Sequence, residues 1–231
     1  MKRLGVIIAI GVILAAALQV LLTQVSGDRK SVADRVKQFG QAVRARLMPA
    51  FDKVGVPYPP KGVILVGLKQ ERLLEVWVSA NEGGYELLRT YSILGASGGL
   101  GPKLTEGDLQ VPEGIYCIES LNPNSKYHLA LRLNYPNEFD RAKARIDGRS
   151  NPGGDIMIHG KNCSFGCLAM GDEAAEDLFV LASETGIGNI SVILSPIDFR
   201  VHSLPSNLPL LLPWTPELYR NIKENLVKLR K

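Results

Sequence analysis

Apolar residues between Val63 and Leu94 crowd into three short runs, Val63–Lys69, Leu73–Ser79 and Tyr85–Leu94. Their density of Val, Ile, Leu, Tyr and Trp predicts strands, with Asn81-Glu82-Gly83-Gly84 turning the last two into a hairpin. Ahead of them Val32, Val36, Phe39, Val43 and Leu47 recur at helical spacing among charged residues, which predicts a helix ending before Pro49. With Pro57-Tyr58-Pro59-Pro60 as a stiff stop, residues 28–58 read as a helical linker.

Further on, Pro112–Ile118 and His128–Tyr135 read as two strands around the loop Leu121-Asn122-Pro123-Asn124-Ser125, and short connections make the sheet mostly antiparallel. The stretch 136–154 is charged and glycine-bearing without a clean period, which predicts a long functional loop or lid bordering a cleft. Ile156–His159 returns to a strand. Ala175, Leu178, Phe179 and Ala182 then mark a helix over Asp172–Thr185 with Asp172 as its N-cap, and Ile190–Leu194 is a final strand. A Pro-rich piece, Leu204–Trp214, leads to an amphipathic helix that starts at Thr215-Pro216-Glu217.

The N-terminus is of another kind. Lys2 and Arg3 precede an apolar run from Leu4 to Leu22 broken only by Gln19. At about 1.5 Å per residue that run nearly crosses a hydrocarbon core of roughly 30 Å, so residues 1–27 are expected to be a signal peptide or an N-terminal membrane anchor. Small residues at Ala15-Ala16-Ala17 and Val25-Ser26-Gly27 offer cleavage sites. In either case the remainder is exported. Of 231 residues, the part beyond this segment suffices for one domain with its own core.

The net charge of +4 is partly on Lys2 and Arg3, and basic and acidic residues alternate elsewhere, which argues against a nucleic-acid partner. Three cysteines, Cys117, Cys163 and Cys167, are too few for a disulfide framework. Cys117 falls in an apolar strand and is expected in the core; Cys163 reads as a loop filler.

The segment Ile156-Met-Ile-His-Gly-Lys-Asn-Cys-Ser-Phe-Gly-Cys-Leu-Ala-Met170 carries the candidate chemistry. A thiol nucleophile needs a base within hydrogen-bond reach and donors aimed at the developing oxyanion. His159 at a strand end and Cys167 eight residues on can meet across the loop, which assigns Cys167 as nucleophile and His159 as general base and acid. Gly166, Ser164 and Gly160 are assigned to the oxyanion site and to positioning, with the N–H groups of Gly166 and Cys167 as donors. Zinc is the competing use of His159, Cys163 and Cys167, but spacings of four without a second ligand pair argue against it, and no metal or other cofactor is expected. Lys103, Tyr116, Asn134, Tyr135 and Arg141 are candidate substrate-binding residues, the two basic ones for a carboxylate. His128 and His202 have no motif around them and read as surface or core-edge residues.

His159-Gly160 followed by Ser164-Phe165-Gly166-Cys167 resembles the signature of the L,D-transpeptidase (YkuD-like) family. Many members carry an Arg two residues after the Cys, where this chain has Ala169. The tight loop with Cys167-Leu168-Ala169-Met170 is similar to the branch that includes a murein peptide amidase, as are Gly101-Pro102-Lys103, Gly107-Asp108, Pro112–Tyr116, Leu121–Ser125 and Asn134–Asn137. The resemblance covers roughly residues 60–200. It implies a β-rich α+β fold, a mixed β sheet or sandwich with a helix after the catalytic Cys, flanked by N- and C-terminal helices. The catalytic domain is then 59–200, followed by the Pro-rich segment and helix of 201–231. It also implies a thioester on diaminopimelate-containing stem peptides of peptidoglycan, a periplasmic, secreted or inner-membrane-anchored location, and a peptidoglycan-attached lipoprotein as a partner. The absent Arg tilts the expectation towards resolution by water over transfer to a second stem; a non-catalytic cell-wall binding module is the rival of another class.

Overall fold

The computed structural model describes residues 29–204 and 212–229. The expected signal or anchor segment and most of the Pro-rich piece lie outside the described residues. From Val32 onward the described residues cluster as one compact unit. Among the described residues no helix is long and apolar enough to cross a membrane.

The unit is a mixed α+β domain. In chain order it runs α1 (Val32–Val54), β1 (Val63–Leu68), β2 (Leu73–Ser79), β3 (Tyr85–Ser92), β4 (Gly95–Ala96), β5 (Gly114–Ser125), β6 (His128–Leu133), α2 (Glu138–Ile146), β7 (Met157–His159), β8 (Leu168–Ala169), α3 (Asp172–Thr185), β9 (Ile190–Ser195) and α4 (Thr215–Leu226). The strands follow the spatial order β3-β2-β1-β9-β5-β6-β7-β8-β4. Most pairs are antiparallel; β1 with β9 and β7 with β8 are parallel.

Strand β5 joins two halves of this sheet. Its first residues, Gly114–Cys117, pair with β9, and its later ones, from Ile118, pair with β6. In the first half β1, β2 and β9 are buried on both faces and read as apolar runs, while the edge strand β3 is only partly buried. Val63 and Leu65 of β1 point into one cluster with Val43, Leu47 and Phe51 of α1 and Leu178 and Phe179 of α3. Val66 and Leu68 point the other way, with Trp77 of β2, Ile193 of β9 and Leu218, Ile222 and Leu226 of α4. Gly67 marks where the halves meet: a Cβ there would lie 2.7 Å from Leu194 and 3.2 Å from Leu168 of β8. The sheet thus curls until β8 leans on the centre of β1, and glycine leaves room for the two leucines.

Several expectations are corrected. Helix α1 does not stop before Pro49 but runs through it to Val54. Proline removes one backbone donor there, and burial of Leu47 and Phe51, one turn apart on the core face, offsets that loss. The segment expected as a linker is therefore packed into the domain, tied to α3 by Arg46–Asp177 at 2.7 Å and Arg44–Glu184 at 2.5 Å. The loop expected at Leu121–Ser125 is the end of β5, turned into β6 by Lys126-Tyr127. The stretch expected as an irregular lid contains α2, started by a capping box in which Asn137 and Asp140 each accept from the other's backbone N–H. Cys117 is exposed rather than core, because it occupies an outward position between buried Tyr116 and Ile118. Finally, α3 is capped by Gly171 and not by Asp172, whose carboxylate is engaged elsewhere.

Candidate active site

Parallel pairing of β7 with β8 sets Ile158 against Leu168 and His159 against Ala169. Ile158 and Leu168 are both buried in the core. Since side chains alternate along a strand, His159 and Ala169 lie on the opposite face, and so does Cys167, which precedes Leu168. The backbone N–H of Met157 donates to Cys167 Sγ at 3.4 Å, which fixes the thiol beside β7. His159 and Cys167 are diagonal neighbours on one face, a relation that spans roughly 7–8 Å between backbones and lies within reach of long side chains. The same face continues through Ala130 and Arg132 of β6, paired with His159 and Met157, and through Gly95 of β4, paired with Ala169.

The imidazole is held on two sides. Its Nδ1 lies 2.6 Å from the carbonyl oxygen of Gly160, so Nδ1 carries the proton and Nε2 is the basic nitrogen. Tyr127 stacks on the ring with centroids 4.7 Å apart and planes at 29°. Gly160 is where the chain passes closest to its neighbours: a Cβ would sit 2.6 Å from the Asp172 carboxylate and 2.8 Å from the Tyr127 carbonyl. That crowding explains why no side chain fits at Gly160. Asp172 clamps the loop, accepting from the N–H of Lys161 at 2.9 Å and from its ammonium at 2.7 Å.

Burial pushes the His159 pKa down, opposed by its bond to the Gly160 carbonyl, so the ring is a neutral base at neutral pH. Burial likewise pushes the Cys167 thiol up, with the Asp155 carboxylate adding to the shift and the Met157 N–H opposing it. The protonated thiol points at the Asp155 carbonyl at 3.6 Å. The resting pair is therefore thiol and neutral imidazole, and no hydrogen bond joins them among the described residues.

The expected oxyanion donors are already paired. The Gly166 N–H donates to Ser97 Oγ at 2.6 Å and the Cys167 N–H to Ser164 Oγ at 3.0 Å, while the Ser164 hydroxyl donates to the Cys167 carbonyl at 2.5 Å. Loop N–H groups outside a ladder need acceptors, and two hydroxyls supply them here. Ser164 thus braces the loop.

The other candidates divide. Lys103 is buried, with its ammonium on Asp108 at 2.6 Å and the Thr105 carbonyl at 2.9 Å, so it secures its own loop and is not free to meet a carboxylate. Tyr116 is buried and donates to the Glu113 carbonyl, and Asn134 accepts from the Cys117 N–H. Tyr135 is buried and donates to the Pro152 carbonyl at 2.9 Å. These three brace the sheet and its flanking loop instead of lining the face that carries the thiol. Arg141 is exposed on α2, in a separate cleft with Arg145 and Arg149. His128 pairs with Glu176 at 3.0 Å, and His202 is exposed. Cys163 is free and exposed.

Four residues around the pair carry no motif: Ser97, Tyr127, Asp155 and Arg132, whose guanidinium joins Asp155 to Glu119. Arg132 reaches the site by strand register, and Ser97, Tyr127 and Asp155 by the loops and turn at the strand ends.

Residues 61–192 match the family model described as YkuD, the L,D-transpeptidase catalytic domain. YafK of Escherichia coli K12, provisionally named an L,D-transpeptidase, is 38% identical over 136 residues, which are 58% of this chain and 52% of YafK. Its counterpart in Escherichia coli O157:H7 matches equally. The chain spans about half the length of these curated relatives. Among solved structures, the helical cell shape determining protein Pgp2 from Campylobacter jejuni aligns over 59% of this chain and 48% of its own, at 26% identity and a TM-score of 0.46. Bd1075 of Bdellovibrio bacteriovorus aligns over 72% and 54%, at 18% identity and 0.43.

Proposed function

This chain belongs to the L,D-transpeptidase catalytic domain family, and from that premise we propose that it is a cysteine acyl-transfer enzyme acting at diaminopimelate in peptidoglycan stem peptides, its thioester being resolved by water. The observation that carries the reading is the single sheet face shared by His159 and Cys167, with Nδ1 tied to the Gly160 carbonyl and Nε2 left as base.

In the proposed cycle Cys167 Sγ turns from the Asp155 carbonyl to His159 Nε2 and gives up its proton as sulfur bonds to the substrate carbonyl carbon. The carbonyl oxygen becomes an anion and takes the place of the Ser97 and Ser164 hydroxyls at the Gly166 and Cys167 N–H groups. Collapse breaks the C–N bond, and the imidazolium protonates the leaving amine. Water, deprotonated by His159, then attacks the thioester; the C–S bond breaks and the thiol is restored.

Ala169 supports water as the acceptor, because no guanidinium stands on that strand to hold the carboxylate of a second stem. In this reading the departing group is an amino acid or an attached lipoprotein. The apolar run 4–22 exports or anchors the domain on the periplasmic side of the inner membrane. Incubating purified sacculi with wild-type protein and Cys167→Ala, then identifying both the soluble products and the stems left on the glycan, tests it: wild type alone releases the amino acid or lipoprotein with a free amine and leaves stems ending in a free diaminopimelate carboxyl. Accumulation of newly joined stems instead replaces the hydrolase with a transpeptidase, and identical products from both proteins leave only a binding module.

A further inference from the structure

A second polar feature lies beside the site. Arg141 and Arg145, one turn apart on α2, and Arg149 line an open cleft of about 330 Å³ whose other walls include Pro136, Pro152 and Gly153. Other cations of this segment are matched: Lys143 meets Glu217 at 2.6 Å and Arg149 meets Asp147 at 2.7 Å. Among the described residues neither Arg141 nor Arg145 forms an ion pair. The adjacent acid, Asp140, is turned to the Asn137 N–H and the Tyr116 hydroxyl. Glu106 lies against Gly153 and pairs with none of the three arginines. Two like charges one turn apart repel each other, so a helix gains nothing by itself from this arrangement. An anion between them would turn it to advantage.

The Gly153 wall of the cleft is tied to the thiol by a short stretch of chain. Asp155, whose carbonyl is 3.6 Å from Cys167 Sγ, is two residues from Gly153. Two residues span at most about 7 Å and the carbonyl adds about 2 Å, which puts the Gly153 wall within roughly 13 Å of the sulfur. In a stem peptide, glutamate is joined to diaminopimelate through its γ-carbonyl, so its α-carboxylate hangs free. Seven bonds separate that carboxylate from the diaminopimelate carbonyl, roughly 9 Å when extended on ordinary bond lengths, and a hydrogen bond of about 2.9 Å extends the reach to about 12 Å, comparable with that bound.

We propose that Arg141 and Arg145, with Arg149 fixed behind them, bind the α-carboxylate of the γ-linked glutamate that precedes the residue attacked by Cys167. The inference rests on the stem-peptide reading above and names its specificity element: stems whose glutamate is amidated are poorer ligands. Proline walls shape the cleft without competing for the guanidinium donors.

Calorimetric titration of two synthetic tetrapeptides into Cys167→Ala tests it. One is L-alanyl-γ-D-glutamyl-diaminopimelyl-D-alanine, and the other carries a carboxamide in place of that single α-carboxylate. Amidation should weaken binding about tenfold or more, the effect of losing a charge-assisted bidentate contact. Cys167→Ala/Arg141→Ala/Arg145→Ala should bind both peptides with the same weak affinity. Equal affinity of Cys167→Ala for the two peptides, discrimination that survives removal of both arginines, or no binding of the acidic peptide overturns the proposal. Loss of the functional reading is seen separately: wild type would then form no thioester with either peptide, whatever the cleft binds.

Discussion

The two halves of the sheet are built for different ends. The half β3-β2-β1-β9 is held by unbroken registers on β1, and its inner strands β2, β1 and β9 are buried on both faces, with Trp77 and Leu74 wholly enclosed. The half β6-β7-β8-β4 ends in strands of two or three residues, and the loops beside it place Asp155 and Lys161 at positive φ. One face of this second half is core, through Ile158 and Leu168; the other carries the imidazole, the thiol, Arg132 and Ala169. The difference teaches that the long strands anchor the domain, while the short ones lean on them, by way of Leu168 over Gly67, and so hold the two candidate catalytic side chains at fixed offset.

That division of labour is open to attack. Cys167→Ala should reduce turnover of stem peptides by at least about 10³-fold while leaving the melting temperature nearly unchanged, measured by product chromatography and calorimetry. In the other half, Trp77→Ala should cost about 3–5 kcal/mol in denaturant unfolding, and the fraction still folded should react with iodoacetamide at Cys167 at the wild-type rate. A change in thiol reactivity that accompanies the lost stability would break the separation.

Smaller effects sharpen it. Tyr127→Ala, which frees one side of the imidazole, should lower kcat on the order of tenfold through lost positioning, and Tyr127→Phe should restore it because the stacking survives. Asp155→Asn removes the carboxylate that raises the Cys167 pKa, and Asn tolerates the φ of 55° at that position. Alkylation of Cys167 near pH 8 should quicken roughly two- to fivefold, with the midpoint of its pH profile moved down. The smallest effect concerns Asp140, raised by burial from 3.8 to about 6. Between those values the folded state binds the extra proton, so wild type loses stability as pH rises through the window. Asp140→Asn should gain on wild type from about pH 4 to pH 6 and hold that gain above it, as read by urea unfolding across pH.

Much of this organisation is legible in the residues. The apolar runs at Val63 and Leu73 locate two strands because burial on both faces leaves few polar interruptions, the aromatic and β-branched residues from Tyr85 locate a third at the edge, and Ala175, Leu178, Phe179 and Ala182 locate α3 by their spacing. The glycine-bearing loop from His159 to Cys167 marks the candidate pair. Context overrules local signals elsewhere. Pro49 stays helical because Phe51 beyond it is buried, and Cys117 is outward because one residue decides the face of a strand. Lys103, a free cation by sequence, is held by Asp108 only because the loop folds back on itself. Ser97, Tyr127, Asp155 and Arg132 reach the site through pairing between distant segments, and such pairings leave no spacing to read.

The central claim, that Cys167 is acylated by a stem peptide with His159 as its base, is tested most directly by acid-quenching wild-type protein during turnover of the tetrapeptide and locating the adduct by mass spectrometry. A thioester on Cys167 is expected, lost in Cys167→Ala and strongly diminished in His159→Ala. An adduct on Cys163, or stem-peptide turnover that persists in Cys167→Ala, would contradict it.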